Sequence, residues 1–209
     1  MKREILNING KNISIAVWDD TENAKGVVQL SHGMAEHIQR YDDFARFLCG
    51  NGYIVIGDDH RGHGYTDPDK LGVASGDIFE DTVADLRYIT SYASKTYGLP
   101  VILMGHSYGS FLTQRYLTYG FDGIKAAILC GSAKQGGLIL KVGKSLSRKK
   151  CKNEADEPGA TFAKMTFEKY DNDFGEGKNS WLSLSKENVQ KFNADLLAVT
   201  DFTIASLPV

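Results

Sequence analysis

Two runs rich in β-branched and apolar residues, Ile5 to Ile8 and Ile13 to Val17, flank the dipeptide Asn9-Gly10. That dipeptide accepts the positive φ angles of a tight turn, so the chain is expected to open as a β-hairpin. Four short, almost wholly apolar runs follow: Val27-Val28-Gln29-Leu30, Tyr53-Ile54-Val55-Ile56, Val101-Ile102-Leu103-Met104 and Ala126-Ala127-Ile128-Leu129. Such runs suit strands buried on both faces of a parallel sheet. The segments between them carry helical stripes. Phe44, Phe47 and Leu48 predict a helix closed by Asn51-Gly52, residues that tolerate a left-handed C-cap. Asp77 and Glu80 have capping-box spacing, and Phe79, Val83, Leu86, Ile89, Ala93 and Tyr97 recur every three or four residues until Gly98 and Pro100. Phe111, Leu112, Tyr116 and Tyr119 form a third stripe that ends at Gly120. Strand and helix alternating from Val27 to Cys130 predict a doubly wound, mostly parallel α/β sheet with right-handed crossovers.

After Gly131 the alternation stops. Lys141, Lys144, Arg148, Lys149, Lys150 and Lys152 form a basic run, followed by Glu154, Asp156, Glu157 and Pro158, while Leu138, Ile139, Leu140, Val142 and Leu146 still offer something to bury. A solvated helical face and a surface loop are favoured over a patch for lipid headgroups. Residues 1–131 are expected to form the sheet core and 132–209 an inserted helical cap, and a length of 209 residues accommodates one such domain.

Charge narrows the function. With 24 basic and 26 acidic side chains the formal net charge is -2, which lacks the positive field that nucleic-acid binding requires. The N-terminus turns polar at Asn7 and Asn9, so no signal peptide is expected, and no run reaches the length of a membrane span. Cys49, Cys130 and Cys151 are scattered and odd in number, against a disulfide framework or a zinc site and in favour of a cytoplasmic setting. No Gly-x-Gly-x-x-Gly or Walker pattern is present, and no cofactor is expected.

Gly105-His106-Ser107-Tyr108-Gly109 carries the chemistry. It follows an apolar strand run and precedes a helical stripe, the context of a nucleophile elbow, so Ser107 is the candidate nucleophile. The helix N-terminus behind it presents the Tyr108 N–H to developing negative charge. A second oxyanion donor is expected from the loop after the third strand, where Ser31-His32-Gly33-Met34 would bring up the Met34 N–H. Asp58-Asp59-His60-Arg61-Gly62-His63 gathers carboxylates and imidazoles, but a metal needs at least three converging ligands and an open position, and a polar turn is the preferred reading. His106 should point away from the serine, and His37, near Glu36, should hold its loop. All five histidines lie at or before position 106, whereas an elbow serine's acid and histidine partners are expected after it. The triad's acid and base are therefore expected to be missing from this chain.

Ser31-His32-Gly33-Met34-Ala35-Glu36-His37, Asp59-His60-Arg61-Gly62-His63-Gly64 and Gly105-His106-Ser107-Tyr108-Gly109, in that order, resemble the monoacylglycerol lipase and lysophospholipase branch of the α/β-hydrolase superfamily, also grouped as serine-aminopeptidase-like hydrolases. The resemblance implies an α/β-hydrolase fold and ester hydrolysis on lipid substrates without a cofactor. It implies Ser107 as nucleophile and Met34 and Tyr108 as backbone oxyanion donors. Trp181-Leu182-Ser183 and the segment from Lys186 to Asp195 are similar to the family's cap, through which peripheral membrane contact would occur. The family's sheet continues past the cap with strands presenting the acid and the histidine, and Val209 comes before either, so a C-terminally truncated member with little or no activity of its own is expected. A non-catalytic binder of acyl ligands is the alternative.

Overall fold

Asn9 and Gly10 take φ of 51 and 82, and the hairpin they close pairs β1 (Lys2–Ile8) with β2 (Lys11–Trp18) from Lys2↔Val17 to Ile8↔Lys11. The structure, a computed structural model, describes residues 1–73, 76–134, 174 and 177–198. The expected basic run and the apolar run of 138–146 lie outside the described residues.

The apolar runs are strands: β3 (Gly26–Ser31), β4 (Tyr53–Asp58), β5 (Val101–His106) and β6 (Ile124–Cys130). They form one sheet of order β1-β2-β4-β3-β5-β6, in which β4, β3, β5 and β6 run parallel and the hairpin joins antiparallel at β4. From β3 the chain goes first to β4 on one side and later to β5 on the other. The order thus reverses between β3 and β5, and in open α/β sheets the crevice at the carboxyl ends of such strands is where ligands bind. The register Ser31↔Gly105 sets the loops leaving these two strands side by side.

Period-two alternation divides the strand side chains between two cores. On one face Ile13, Ile15, Val17, Val27, Ile54, Ile56, Val101 and Leu103 pack against α2 (Ile78–Tyr97) and α3 (Tyr108–Thr118), which contribute Val83, Leu86, Ile89, Ala93, Leu112 and Tyr116. On the other, Ala16, Trp18, Val28, Leu30 and Val55 pack against α1 (Asp42–Gly50) and the 3₁₀ turn Ile38–Tyr41 through Ile38, Ala45 and Cys49. Within β3, buried Gln29 is satisfied by the Leu86 carbonyl at 3.0 Å and the Thr90 hydroxyl at 2.6 Å, which explains a polar residue in so apolar a run.

Three local expectations require correction. Phe44 and Phe47 do not form the buried stripe of α1; they are 37% and 63% exposed, and the small residues Ala45 and Cys49 face the sheet. The Trp18 indole N–H donates to Asp42 at 2.7 Å at the start of the helix, consistent with that rotation. Only half of the capping box forms. Asp77 accepts the Glu80 N–H at 3.2 Å, but the Glu80 carboxylate is taken by Arg115 at 2.7 Å and Tyr119 at 2.9 Å. Tyr119, at the C-terminal end of α3, likewise lies outward, while Leu112 and Tyr116 are buried.

Strand β6 ends the sheet. Among the described residues no strand pairs with its outer edge, and Ile128 and Leu129 are 46% and 42% exposed. Beyond the sheet a 3₁₀ turn (Ser180–Leu182) and α4 (Lys186–Asn193) are described. No helix among the described residues is long and apolar enough to cross a membrane.

Candidate active site

Ser107 stands between β5 and α3 with φ 50 and ψ -115, a backbone conformation that costs a residue with a side chain about 1–3 kcal/mol. Its surroundings impose that conformation. The Ser107 N–H donates to the Cys130 carbonyl of β6 at 2.9 Å, and its carbonyl accepts the Ser110 N–H at 2.9 Å and the Ser110 hydroxyl at 2.6 Å. The flanking glycines bring the helix against bare backbone. A Cβ on Gly109 would stand 2.6 Å from the His32 carbonyl oxygen and closer still to that of Ser31; one on Gly105 would stand 2.6 Å from the Gly109 carbonyl carbon. The α3 N-terminus therefore lies directly on the end of β3.

The loop leaving β3 touches the elbow. A Cβ on Gly33 would be 3.3 Å from Ser107 Cβ, at the edge of contact. Glu36 holds this loop: its Oε1 accepts the Gly33 N–H at 2.6 Å and the Tyr41 hydroxyl at 2.8 Å, and it faces His106 Nδ1 at 3.1 Å. Burial alone would raise the Glu36 carboxyl, but the hydrogen bonds from His106 and Tyr41 outweigh it and hold the group below its ordinary value. Glu36 in turn holds the His106 imidazole above its ordinary value. His106 does turn to hydrogen-bonding partners on this loop. His37, in contrast, finds its partner away from the loop: its Nε2 lies 2.8 Å from Asp195. Neither the Met34 N–H nor the Tyr108 N–H has an acceptor among the described residues, and Ser107 Oγ has no hydrogen-bond partner among them.

Beneath the loop lies the histidine cluster. His32 accepts the His60 N–H on Nε2 at 3.0 Å and donates from Nδ1 to the Gly33 carbonyl at 2.7 Å, which fixes a neutral ring. Burial, reinforced by neighbouring His60 and His63, lowers its pKa well below the ordinary value. His60 faces the Asp58 carboxylate at 2.7 Å through Nδ1 and the His32 carbonyl at 3.2 Å through Nε2, acceptors on both sides. Burial opposes its charge, yet Asp58 prevails and raises the pKa. The His32 and His60 rings stack at 3.9 Å. Asp59 accepts from the Ile38 N–H at 2.9 Å, the Tyr65 N–H at 3.0 Å and Arg3 at 2.8 Å, and Arg61 forks onto Asp85 at 2.7 and 3.0 Å. These side chains are engaged with one another and with backbone, as a support for the loop. Among the described residues no three His, Cys, Asp or Glu side chains are grouped as a metal ion requires.

The cluster makes stability depend on pH. Burial pushes His63 from an ordinary 6.5 to about 4, so between those values the unfolded chain binds the proton that the folded one refuses. Its contribution is whole above pH 6.5 and is lost as pH falls towards 4, a loss of roughly 3 kcal/mol. His32, also lowered, acts in the same direction; His60, raised, stabilises on the acid side and loses that contribution as pH rises through its folded pKa. Urea midpoints should drop steeply from pH 7 to 4, and less steeply in His63→Asn. An unchanged slope in that variant would contradict the assignment.

Comparison with known proteins agrees with this architecture. The serine aminopeptidase, S33 family matches residues 22–207. The chain is 34% identical over 105 residues to human monoglyceride lipase, covering 50% of this chain and 34% of that protein. It is 32% identical over 127 residues to the monoacylglycerol lipase of Mycolicibacterium smegmatis, covering 60% and 44%. The chain thus spans less than half the length of these curated relatives. Among solved structures, a thermostable carboxyl esterase from Bacillus coagulans superposes with a TM-score of 0.85 at 23% identity, over 98% of this chain and 69% of that one. A monoglyceride lipase variant from Saccharomyces cerevisiae gives 0.70 at 20%, over 97% and 64%. With the sheet order, the strained turn at Ser107 and a family match over most of its length, the chain belongs to the serine aminopeptidase S33 family and has the α/β-hydrolase fold.

Proposed function

We propose that this chain is the nucleophile-bearing part of a serine hydrolase that cleaves carboxylic esters of lipids, of the monoacylglycerol or lysophospholipid type. Ser107 Oγ attacks the ester carbonyl, and the Met34 and Tyr108 N–H groups receive the oxyanion. The alcohol leaves, and water then releases the acid from the acyl-enzyme. The observation that carries this reading is the strained Ser107 at the point where the strand order reverses, with the Met34 and Tyr108 N–H groups left without an acceptor among the described residues. The names of the relatives support the lipid ester as substrate. In this reading 132–209 is the cap and meets lipid at a membrane surface, on the cytoplasmic side.

Among the described residues, which include all five histidines, none is hydrogen-bonded to Ser107 Oγ. His32, His60 and His63 are committed to the buried cluster, His106 to Glu36 and His37 to Asp195. A second reading, an acyl-ligand binder without turnover, is favoured by the absence of a partner on Ser107 Oγ among the described residues. Prolonged incubation with a fluorophosphonate followed by peptide mass spectrometry tests the first. Slow labelling is expected at Ser107 and none in Ser107→Ala; modification at another residue, or none at all, would leave the binder.

A further inference from the structure

We infer that Asp195 is a positioning residue, through which α4 holds the loop carrying the Met34 N–H in place against Ser107. Asp195 lies just past the end of α4, and its Oδ2 stands 2.8 Å from His37 Nε2 and 3.5 Å from Arg40 Nη1. Arg40 also reaches back to Glu36 at 3.8 Å and lays its guanidinium 4.7 Å from the centre of the Phe192 ring. Glu36 is the acceptor of the Gly33 N–H. An unbroken series of polar contacts therefore runs from α4 through Asp195, Arg40 and Glu36 to the residue before Met34.

The loop needs such support. Ala35 has φ 69, a left-handed conformation that favours glycine, so the turn after Met34 is held by its surroundings and not by its own preference. The helix has equal need of the contact. It has eight residues, short for a helix that must stand alone, and its buried side chain is Phe192, beneath Arg40. Burial of Asp195 would raise its carboxyl, yet the His37 hydrogen bond, the Leu197 N–H and the nearby Arg40 hold it below the ordinary value, in keeping with a charged anchor. Sitting at the back of the loop and committed to His37 and Arg40, this carboxylate acts on the oxyanion donor by placing it.

The catalytic meaning of this inference rests on the hydrolase reading, and two measurements separate their fates. The first is hydrogen–deuterium exchange of the segment 32–41 in the unaltered chain, in Asp195→Asn, which keeps an acceptor for His37, and in Asp195→Leu, which keeps none. Exchange is expected to quicken about threefold in the first variant and about tenfold in the second, with 101–118 unchanged. The second is the rate of slow fluorophosphonate labelling at Ser107, expected to fall in the same order. Unchanged exchange in 32–41, or a rise shared equally by 101–118, would overturn the inference. So would a loosened loop that leaves the labelling rate unaltered. If the unaltered chain is not labelled while the loop loosens as expected, the hydrolase reading falls and the contact between helix and loop stands as a purely structural one.

Discussion

Turnover of p-nitrophenyl esters by this chain alone is expected to lie on the order of a millionfold below that of a version extended by a homologous C-terminal segment supplying an acid and a histidine. Loss of the base from a serine triad costs about that much, and what remains over water comes from the oxyanion donors and binding. A base must reach hydrogen-bond distance of the hydroxyl while a carboxylate orients it. His37, His60 and His106 have carboxylate partners in Asp195, Asp58 and Glu36, but among the described residues none of them is hydrogen-bonded to Ser107 Oγ. The comparison is of kcat/KM for both versions and for their Ser107→Ala variants. Brisk turnover by the short chain, abolished by Ser107→Ala, would show that a base is present after all.

Gly109→Ala is expected to destabilise the fold by at least about 3 kcal/mol, the upper part of the range for overpacking. Its new methyl would overlap the Ser31 and His32 carbonyls, which are backbone atoms of a central strand and the loop after it and cannot swing aside as a side chain end would. Relief requires α3 to lift from β3, which also draws the Tyr108 N–H away from the loop that carries Met34. Gly98→Ala is the control. That residue caps α2 with φ 64 and has open space around it, so only the backbone strain of about 1 kcal/mol is expected. Urea midpoints would measure both; a cost for Gly109→Ala no larger than that for Gly98→Ala would show that α3 does not rest on β3 as described.

The strands and the elbow were legible in the sequence because each is a local pattern. Runs such as Val101 to Met104 can satisfy their burial only between two helical layers, and Gly105 and Gly109 announce a close approach whatever the partner. The failures are where a tertiary contact decides among equal local choices. Phe44 and Phe47 are the bulkiest apolar residues of α1, yet with Asp42 tied to Trp18 they lie outward and Ala45 and Cys49 meet the sheet. Glu80 has the spacing to cap its own helix but finds Arg115 on α3 instead. The role of Glu36 is not legible in the sequence, because a glutamate reaching back three residues to a loop N–H carries no periodicity to detect. His37 and Asp195 are 158 residues apart, and no spacing rule joins them.

The outer edge of β6 has a consequence for the life of the protein in a crowded solution. Among the described residues the outer row of β6 N–H and C=O groups has no partner strand, and Ile128 and Leu129 stand partly in water, so the edge is a template for an extended segment. A segment that pairs with this edge would cover Ile128 and Leu129 as well, and so would guard the sheet against edge-to-edge association between copies.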